Sequence, residues 1–305
     1  MSSVSDLFSI ALMQGFNGLS TFSVLLLMAL GLAIIFGQMG VINMAHGEFL
    51  TLGAYTTYVL SEVSSRWAPW LSAYYFFLAL ALSFVIAAAL GLMVEHLMIR
   101  HLYRRPLDSL LATWGLSLIL QQAYRSIFGA QEVSVPLATW LAGAWEPTAG
   151  IQLPLNRIFI IGLTALVASG VYVLLYHTRW GLKVRAVMQN RAIAGAVGID
   201  TNRVDALTFA LGSGLAGIAG CVFTMIGSTN PGTGQLYIVD SFIVVVFGGV
   251  QSLLGTALSG FAISQSQTWL EYLISGSMAK ATILLLVIVA LYFRPNGLFA
   301  LRSRS

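Results

Sequence analysis

From Leu7 to Gly47 the chain carries no Lys, Arg, Asp or Glu. Such a run is too long for one membrane helix of about 20 residues and too short for two helices with a connecting loop. A helix has to break inside it. The break is written in Gly37-Gln-Met-Gly-Val-Ile-Asn43-Met-Ala-His46-Gly-Glu48-Phe-Leu-Thr-Leu-Gly53. Gly37 and Gly40 loosen the helix, and Asn43, His46 and Glu48 then put three polar side chains at membrane depth. Irregular backbone and ionisable groups persist there only when protein buries them or a water-filled path runs beside them. Either the broken helix borders a translocation path, or Asn43 and His46 cap two helix pieces and bond to neighbouring helices.

Composition fits a chain that lives in lipid. Of its 305 residues 58% are hydrophobic and only 9% are charged, with a mean hydropathy of +0.85, whereas a soluble domain carries roughly 25% charged residues. Met1 to Asp6 lacks the positive start of a secretory signal, and the apolar run behind it is longer than a signal's; the first span is expected to remain in the mature protein. Cys221 is the single cysteine, which leaves no disulfide framework and no thiolate metal site. His46, His96, His101 and His177 show no zinc spacing on one helix face, and His46-x-Glu48 is a weak metal signal. No metal site is expected.

The net charge of +4 does not point to nucleic acid, because the charges are sorted by loop. Arg100, Arg104 and Arg105 form one cluster; Arg179, Lys183, Arg185, Arg191 and Arg203 a second; Arg294, Arg302 and Arg304 a third. The intervening segments hold only Arg66, Arg125, Arg157 and Lys280. This alternation is the positive-inside pattern, which puts the three clusters and the C-terminus in the cytoplasm.

Taken in order, the first span covers about residues 10 to 37. Gly47 to Ser61 is read as a short return helix ending at Glu62, and Ala73 to Val94 as a clean span. Ser109 to Tyr124 runs outward and carries Gln121 and Gln122, which serve either the path or the membrane interface. Residues 128 to 156 form the longest outer loop, and Ile158 to Tyr176 returns inward. In the loop of about 178–204, the stretch Trp180 to Gly198 reads as one amphipathic helix with Val184, Val187, Met188, Ala192 and Ala196 mainly on one face and Gly198 as its stop. Its small apolar face suits a protein partner better than lipid.

Ala206 to Gly227 interleaves Gly212, Gly214, Gly217 and Gly220 with alanines, a spacing that lets helices approach closely inside a bundle. Nothing matches Gly-x-x-x-x-Gly-Lys-Ser/Thr, so ATP hydrolysis is not expected of this chain. After an outer loop from Ser228 to Leu236, Ser241 to Leu270 is again free of charge and has to break near Phe247-Gly-Gly-Val-Gln-Ser-Leu-Leu-Gly255. Gly47 and Gly53 are spaced like Gly249 and Gly255, which suggests an internal repeat with a broken helix in each half. Asp240 is most simply an N-cap for the helix that follows, with a substrate contact as the alternative. The last span, about Met278 to Phe293, ends at Arg294-Pro-Asn-Gly-Leu-Phe299. The expected fold is an all-α polytopic membrane bundle of about eight to ten spans, one domain over residues 1–305.

Four motifs in order, Gly37 to Gly53, Trp180 to Gly198, Phe247 to Gly255 and Arg294 to Phe299, resemble the permease subunits of branched-chain amino acid type ABC importers. Within that family, Val41-Ile-Asn-Met-Ala-His-Gly-Glu-Phe49, the stretch Arg105 to Gln122 and Tyr237-Ile-Val-Asp-Ser-Phe242 resemble the urea-uptake branch. The resemblance implies a subunit in a bacterial plasma (inner) membrane, surrounded by lipid. Its partners would be a second, related permease, two cytoplasmic ATPase subunits and an external substrate-binding protein. No cofactor would be bound by this chain, and ATP-Mg would sit on the ATPases. Family coupling helices often carry Glu-Ala-Ala-x-x-x-Gly. Here Ala192-Ile-Ala-x-x-x-Gly198 keeps the small residues and lacks the glutamate, so Arg185, Gln189, Arg191, Ala192, Ala194 and Gly198 are the expected ATPase-coupling residues. The implied mechanism is alternating access for urea, a planar amide with four N–H donors and one acceptor. Asn43, His46, Glu48, Gln121, Gln122 and Asp240 are the expected path residues, and none is catalytic.

Other classes make different demands. An importer of branched-chain amino acids from the same family would share every motif but the substrate. A passive urea or amide channel would show broken helices but need no partner helix. An ion-coupled carrier would rely on Glu48. An enzyme would need a nucleophile with its base, or a metal cluster, and neither is visible.

Overall fold

A segment in lipid has to satisfy its own backbone, so helix dominates. The computed structural model describes residues 2–67, 72–103, 105–148, 151–294 and 297–298. Trp70, Arg104, Pro295, Phe299, Arg302 and Arg304 lie outside the described residues, as does the side chain of Pro147.

The chain runs α1 (Ser2–Met39), α2 (His46–Trp67), α3 (Tyr75–Val94), a π turn (Glu95–Ile99), the short α4 (Arg100–Leu102) and α5 (Pro106–Phe128). A hairpin of β1 (Ala144–Thr148) and β2 (Ile151–Pro154) precedes α6 (Leu155–His177). Then follow α7 (Arg179–Gln189), α8 (Arg191–Ala196), α9 (Thr201–Phe223), α10 (Thr233–Gly248), α11 (Leu253–Leu273) and α12 (Gly276–Phe293). α1, α3, α6, α9 and α12 are each long and apolar enough to cross a membrane. The hairpin within the 128–156 loop is a detail the sequence did not announce, and it leaves the all-α class intact.

α9 is the post the bundle is built round, and its small residues explain why. A Cβ on Gly212 would lie 2.6 Å from the Gly31 carbonyl of α1, and one on Gly217 would lie 2.4 Å from Ser83 O of α3. On Gly220 it would reach 1.8 Å from Leu50 O of α2. Three helices thus meet α9 backbone to backbone, where lipid tails offer no hydrophobic drive and dense packing supplies the attraction. Leu27, Met28, Phe76, Ile160, Val222 and Val244 fill the adjoining core.

Both expected breaks are present. α1 stops at Met39, where Gly40 takes φ +63°, and α10 stops at Gly248, where Gly249 takes φ +97°. The glycine pairs named from sequence are not equivalent, however. Gly249 is the turn itself, whereas Gly47 lies in the first turn of α2, where Gly255 lies in α11. The structural partner of Gly249 is Gly40.

Three further expectations are corrected. The return helix after the first break does not end near Ser61, since Glu62 pairs with Arg66 at 2.8 Å on the same exposed helix face and α2 continues to Trp67. Residues 180 to 198 are not one helix. Asn190 adopts φ −156° and its Oδ1 accepts from Ile193 N, so it ends α7 and caps α8, as Asn side chains do when they compete for backbone bonds. Val184 and Val187 are buried while Ala192 and Ala196 are exposed, so they do not share a face. Asp240 caps nothing, because α10 has already begun at Thr233.

Candidate translocation site and coupling surface

The first break is held by bonds from three other helices. Asn43 Oδ1 accepts from Ala45 N at 3.1 Å, and its carbonyl accepts from His46 N at 3.2 Å, which closes the turn into α2. Met44 N donates to Thr113 Oγ1 of α5 at 3.1 Å. His46 Nε2 lies 3.2 Å from the Met28 carbonyl of α1; a carbonyl only accepts, so this nitrogen carries the hydrogen. Gly47 is packed on α10, where a Cβ would lie 2.2 Å from Gly234 O. Asn43 and His46 therefore do what caps and tethers do.

Glu48 does more. Its side chain is fully buried, and Oε1 accepts from Ser117 Oγ and Gln121 Nε2 of α5, both at 2.9 Å. Tyr124 OH donates to the Glu48 carbonyl at 3.0 Å. Oε2 has no hydrogen-bond partner among the described residues. A buried carboxylate with one oxygen bonded and the other bare has unused acceptor capacity, and such a group is costly to keep without a reason.

Of the six path residues expected from sequence, Asn43, His46, Glu48 and Gln121 come together here. Gln122 turns to the exposed side of α5. Asp240 pairs instead with Lys280 of α12 at 3.1 Å and borders a separate cavity of about 360 Å³ with Glu132, Asn230, Gln267 and Glu271. The residues missed were Thr113, Ser117 and Tyr124. Their signal was legible, for Ser109, Thr113, Ser117 and Gln121 recur every fourth residue, as one stripe of a helix must.

The α7–α8 segment presents a second surface. Leu182, Gln189, Ala192, Ile193, Val197 and Gly198 are exposed on it. Gly198 takes φ +87° and closes α8, with Ile199 N bonding back to Ala194 O at 3.0 Å. Three of the expected coupling residues also bond or pack inward. Arg185 donates to Leu175 O at 2.8 Å, Ala194 is buried, and Arg191 pairs with Asp205. Ile193 and Val197 are apolar groups exposed beside them. Beneath α7, Ile34, Tyr176, Val184, Met188, Val250 and Leu253 line a cavity of about 280 Å³ beside the second break.

No group of His, Cys, Asp and Glu able to hold a metal occurs among the described residues. What remains is a polytopic bundle with a broken helix at a buried polar group, and a family model described as branched-chain amino acid transport system / permease component matches residues 15–291. The chain belongs to that family. It is similar to BraD of Pseudomonas aeruginosa, a high-affinity branched-chain amino acid transport system permease protein, with 28% identity over 94% of this chain and 95% of the relative. LivH of Salmonella typhimurium, of the same description, is 27% identical over 97% of each chain. The ribose import permease protein RbsC of Escherichia coli is 27% identical over 81% of this chain and 75% of its own length. No solved structure matches the chain.

Proposed function

We propose that this chain is a membrane-spanning permease subunit of an ATP-driven ABC importer, and that solute crosses beside Glu48 between α2 and α5. The observation that carries this is the Glu48–Ser117–Gln121 group, a buried polar cluster joining the helix that follows the break to a helix whose main neighbour, apart from α4, is α2. Movement of α5 away from α2 opens that group to water, and its return closes it.

Branched-chain amino acids are the substrate supported by the names of BraD and LivH. RbsC, at comparable identity, is named for ribose, so relatives at this distance do not fix the solute. Urea is the second reading, and the site chemistry supports it. Glu48 offers a bare acceptor to N–H donors, and its bonded neighbours are a hydroxyl and an amide. An amino acid carboxylate would look for a cation or free N–H groups, but the amides at the start of α2 already bond to Asn43 and Thr113. The motifs shared with the urea-uptake branch point the same way.

The assembly follows from the importer reading. A second permease, two ATPases holding ATP-Mg and an external binding protein complete the machine, and this chain binds no cofactor. The exposed α7–α8 surface meets an ATPase in the cytoplasm, where the basic loops and the C-terminus also lie, in a bacterial inner membrane.

The test is uptake of labelled urea and labelled leucine by cells with and without this chain, at low external concentration and with ATP depletion. Loss of ATP-dependent uptake of one solute identifies it. Uptake by the isolated chain without ATP would replace the importer with a channel.

A further inference from the structure

Arg191, an expected coupling residue at the start of α8, also reaches into the bundle. Its guanidinium bonds to Asp205 of α9 and to Asn202 Oδ1 at 3.2 Å, and its Cζ sits 4.9 Å above the Tyr103 ring. Asp205 is fully buried, and its other oxygen accepts from Gln38 Nε2 at 3.0 Å. Gln38 belongs to the last turn of α1, two residues before the Gly40 turn. One carboxylate therefore holds the start of α8 and the end of α1 together.

The surroundings keep this node from slackening. Tyr103 OH donates to Glu95 Oε1 at 3.0 Å, and Glu95 is buried at the head of the π turn. Burial first, and then the Asp205 and Glu95 carboxylates, push the Tyr103 phenol above its usual range, so it stays a donor. Glu95 continues the buried stripe of α3, four residues after Gly91 as Gly91 follows Ala87. A second grip lies alongside, where a Cβ on Gly37 would be 3.6 Å from Met188 Cε of α7 and 2.9 Å from Val250 O in the second break. Both pieces of the α7–α8 segment therefore act on the same turn of α1.

We infer that Arg191, Asp205 and Gln38 are positioning residues that carry movement of the α7–α8 segment to the first helix break. This rests on the importer reading given above. A buried carboxylate separated from its guanidinium is left an uncompensated charge, so displacement of α8 drags α9 and α1 rather than tearing the pair. The end of α1 then moves against the turn at Gly40, and Asn43, Met44 and His46 transmit that motion to Glu48.

The test uses the whole complex in proteoliposomes, with this chain, its partner permease, the ATPases and the binding protein. Uptake of labelled urea or leucine and ATP hydrolysis are read in the same vesicles. Arg191→Ala, Asp205→Asn and Gln38→Ala are expected to copurify with the ATPases and to hydrolyse ATP, while solute moved per ATP falls at least ten-fold. Arg191→Lys, which keeps the charge and loses the fork, is expected to lie between. Gln38 belongs to α1 and bonds to the inner side of the node, so its effect separates transmission from docking. An unchanged transport-to-hydrolysis ratio in all three variants overturns the inference, as does loss of the ATPases from the purified complex. If the unmodified complex takes up solute without ATP, the importer reading falls and the inference with it.

Discussion

The two helix breaks each open on a glycine at positive φ and are secured in different ways. At the first, Gly40 starts the turn, and besides the local bonds of Asn43 it is held by Thr113 on α5, by the Met28 carbonyl back in α1 and by the packing of α10 on Gly47. At the second, Gly249 starts the turn and the bonds are local. Ser252 N returns to Gly249 O at 2.9 Å, and Ser252 Oγ accepts from Gly255 N at 3.0 Å. Ser259 Oγ donates to Val244 O at 2.7 Å across the gap. A break tied to α5 and α10 as well as to its own flanks reports their positions, while a break whose side-chain bonds stay within its own flanks keeps its shape as it moves. The first suits a site that has to sense the rest of the bundle, and the second suits a hinge beside α7.

The sharpest way to break this contrast is to force a side chain into the first break's backbone contact. Gly47→Val would drive a Cβ into Gly234 O, where neither side is a flexible side chain, and it should cost about 3 kcal/mol. A lowered melting temperature in detergent, with α10 and α2 both more open to hydrogen exchange, is the expected result. Glu48→Ala comes next, because it takes the carboxylate acceptor from Ser117 and leaves Gln121 only Ser117 Oγ, at about 2 kcal/mol. Transport should fall at least ten-fold. Glu48→Gln should recover most of the stability and little of the transport, and normal transport by that variant in the assembled complex would remove Glu48 from the path.

Smaller effects sharpen the comparison. Thr113→Val frees the half-buried Met44 amide and should cost about 1 kcal/mol, with loosened exchange reaching both α2 and α5. Ser252→Ala removes the cap of α11 and should cost about 1 kcal/mol, with exchange changing only across residues 249–256. If both variants loosen equally wide regions, the distinction between a tethered break and a self-contained one is wrong.

Much of the fold was legible because lipid punishes charge and unbonded backbone so severely. Two charge-free runs too long for one span had to break, and they break at Gly40 and Gly249. The glycine spacing of α9 announced an interior helix. Half of the candidate site was legible for the same reason, since Glu48 at membrane depth needs partners, and the four-residue polar stripe on α5 supplies them. What could not be read were outcomes of competition between local and tertiary bonds. Asn190 favoured capping α8 over continuing α7, and Glu62 was neutralised within α2 instead of ending it. Asp240 found Lys280 on a helix 40 residues later. Arg191 looked like one more exposed cation in a basic loop until Asp205 claimed it.

The second break also carries a backbone bond that is not local. Leu298 N donates to Phe247 O at 2.9 Å, and Gly297, at φ +82°, sits so that a Cβ there would lie 2.7 Å from Val246 O. Those residues follow α12, so they are translated after both helices of the break, α10 and α11. The hinge can therefore be inserted into the membrane before its final donor exists. Its closure has to wait for α12 to thread back to the side of the bundle where α10 ends, which makes the order of synthesis part of how this turn is completed.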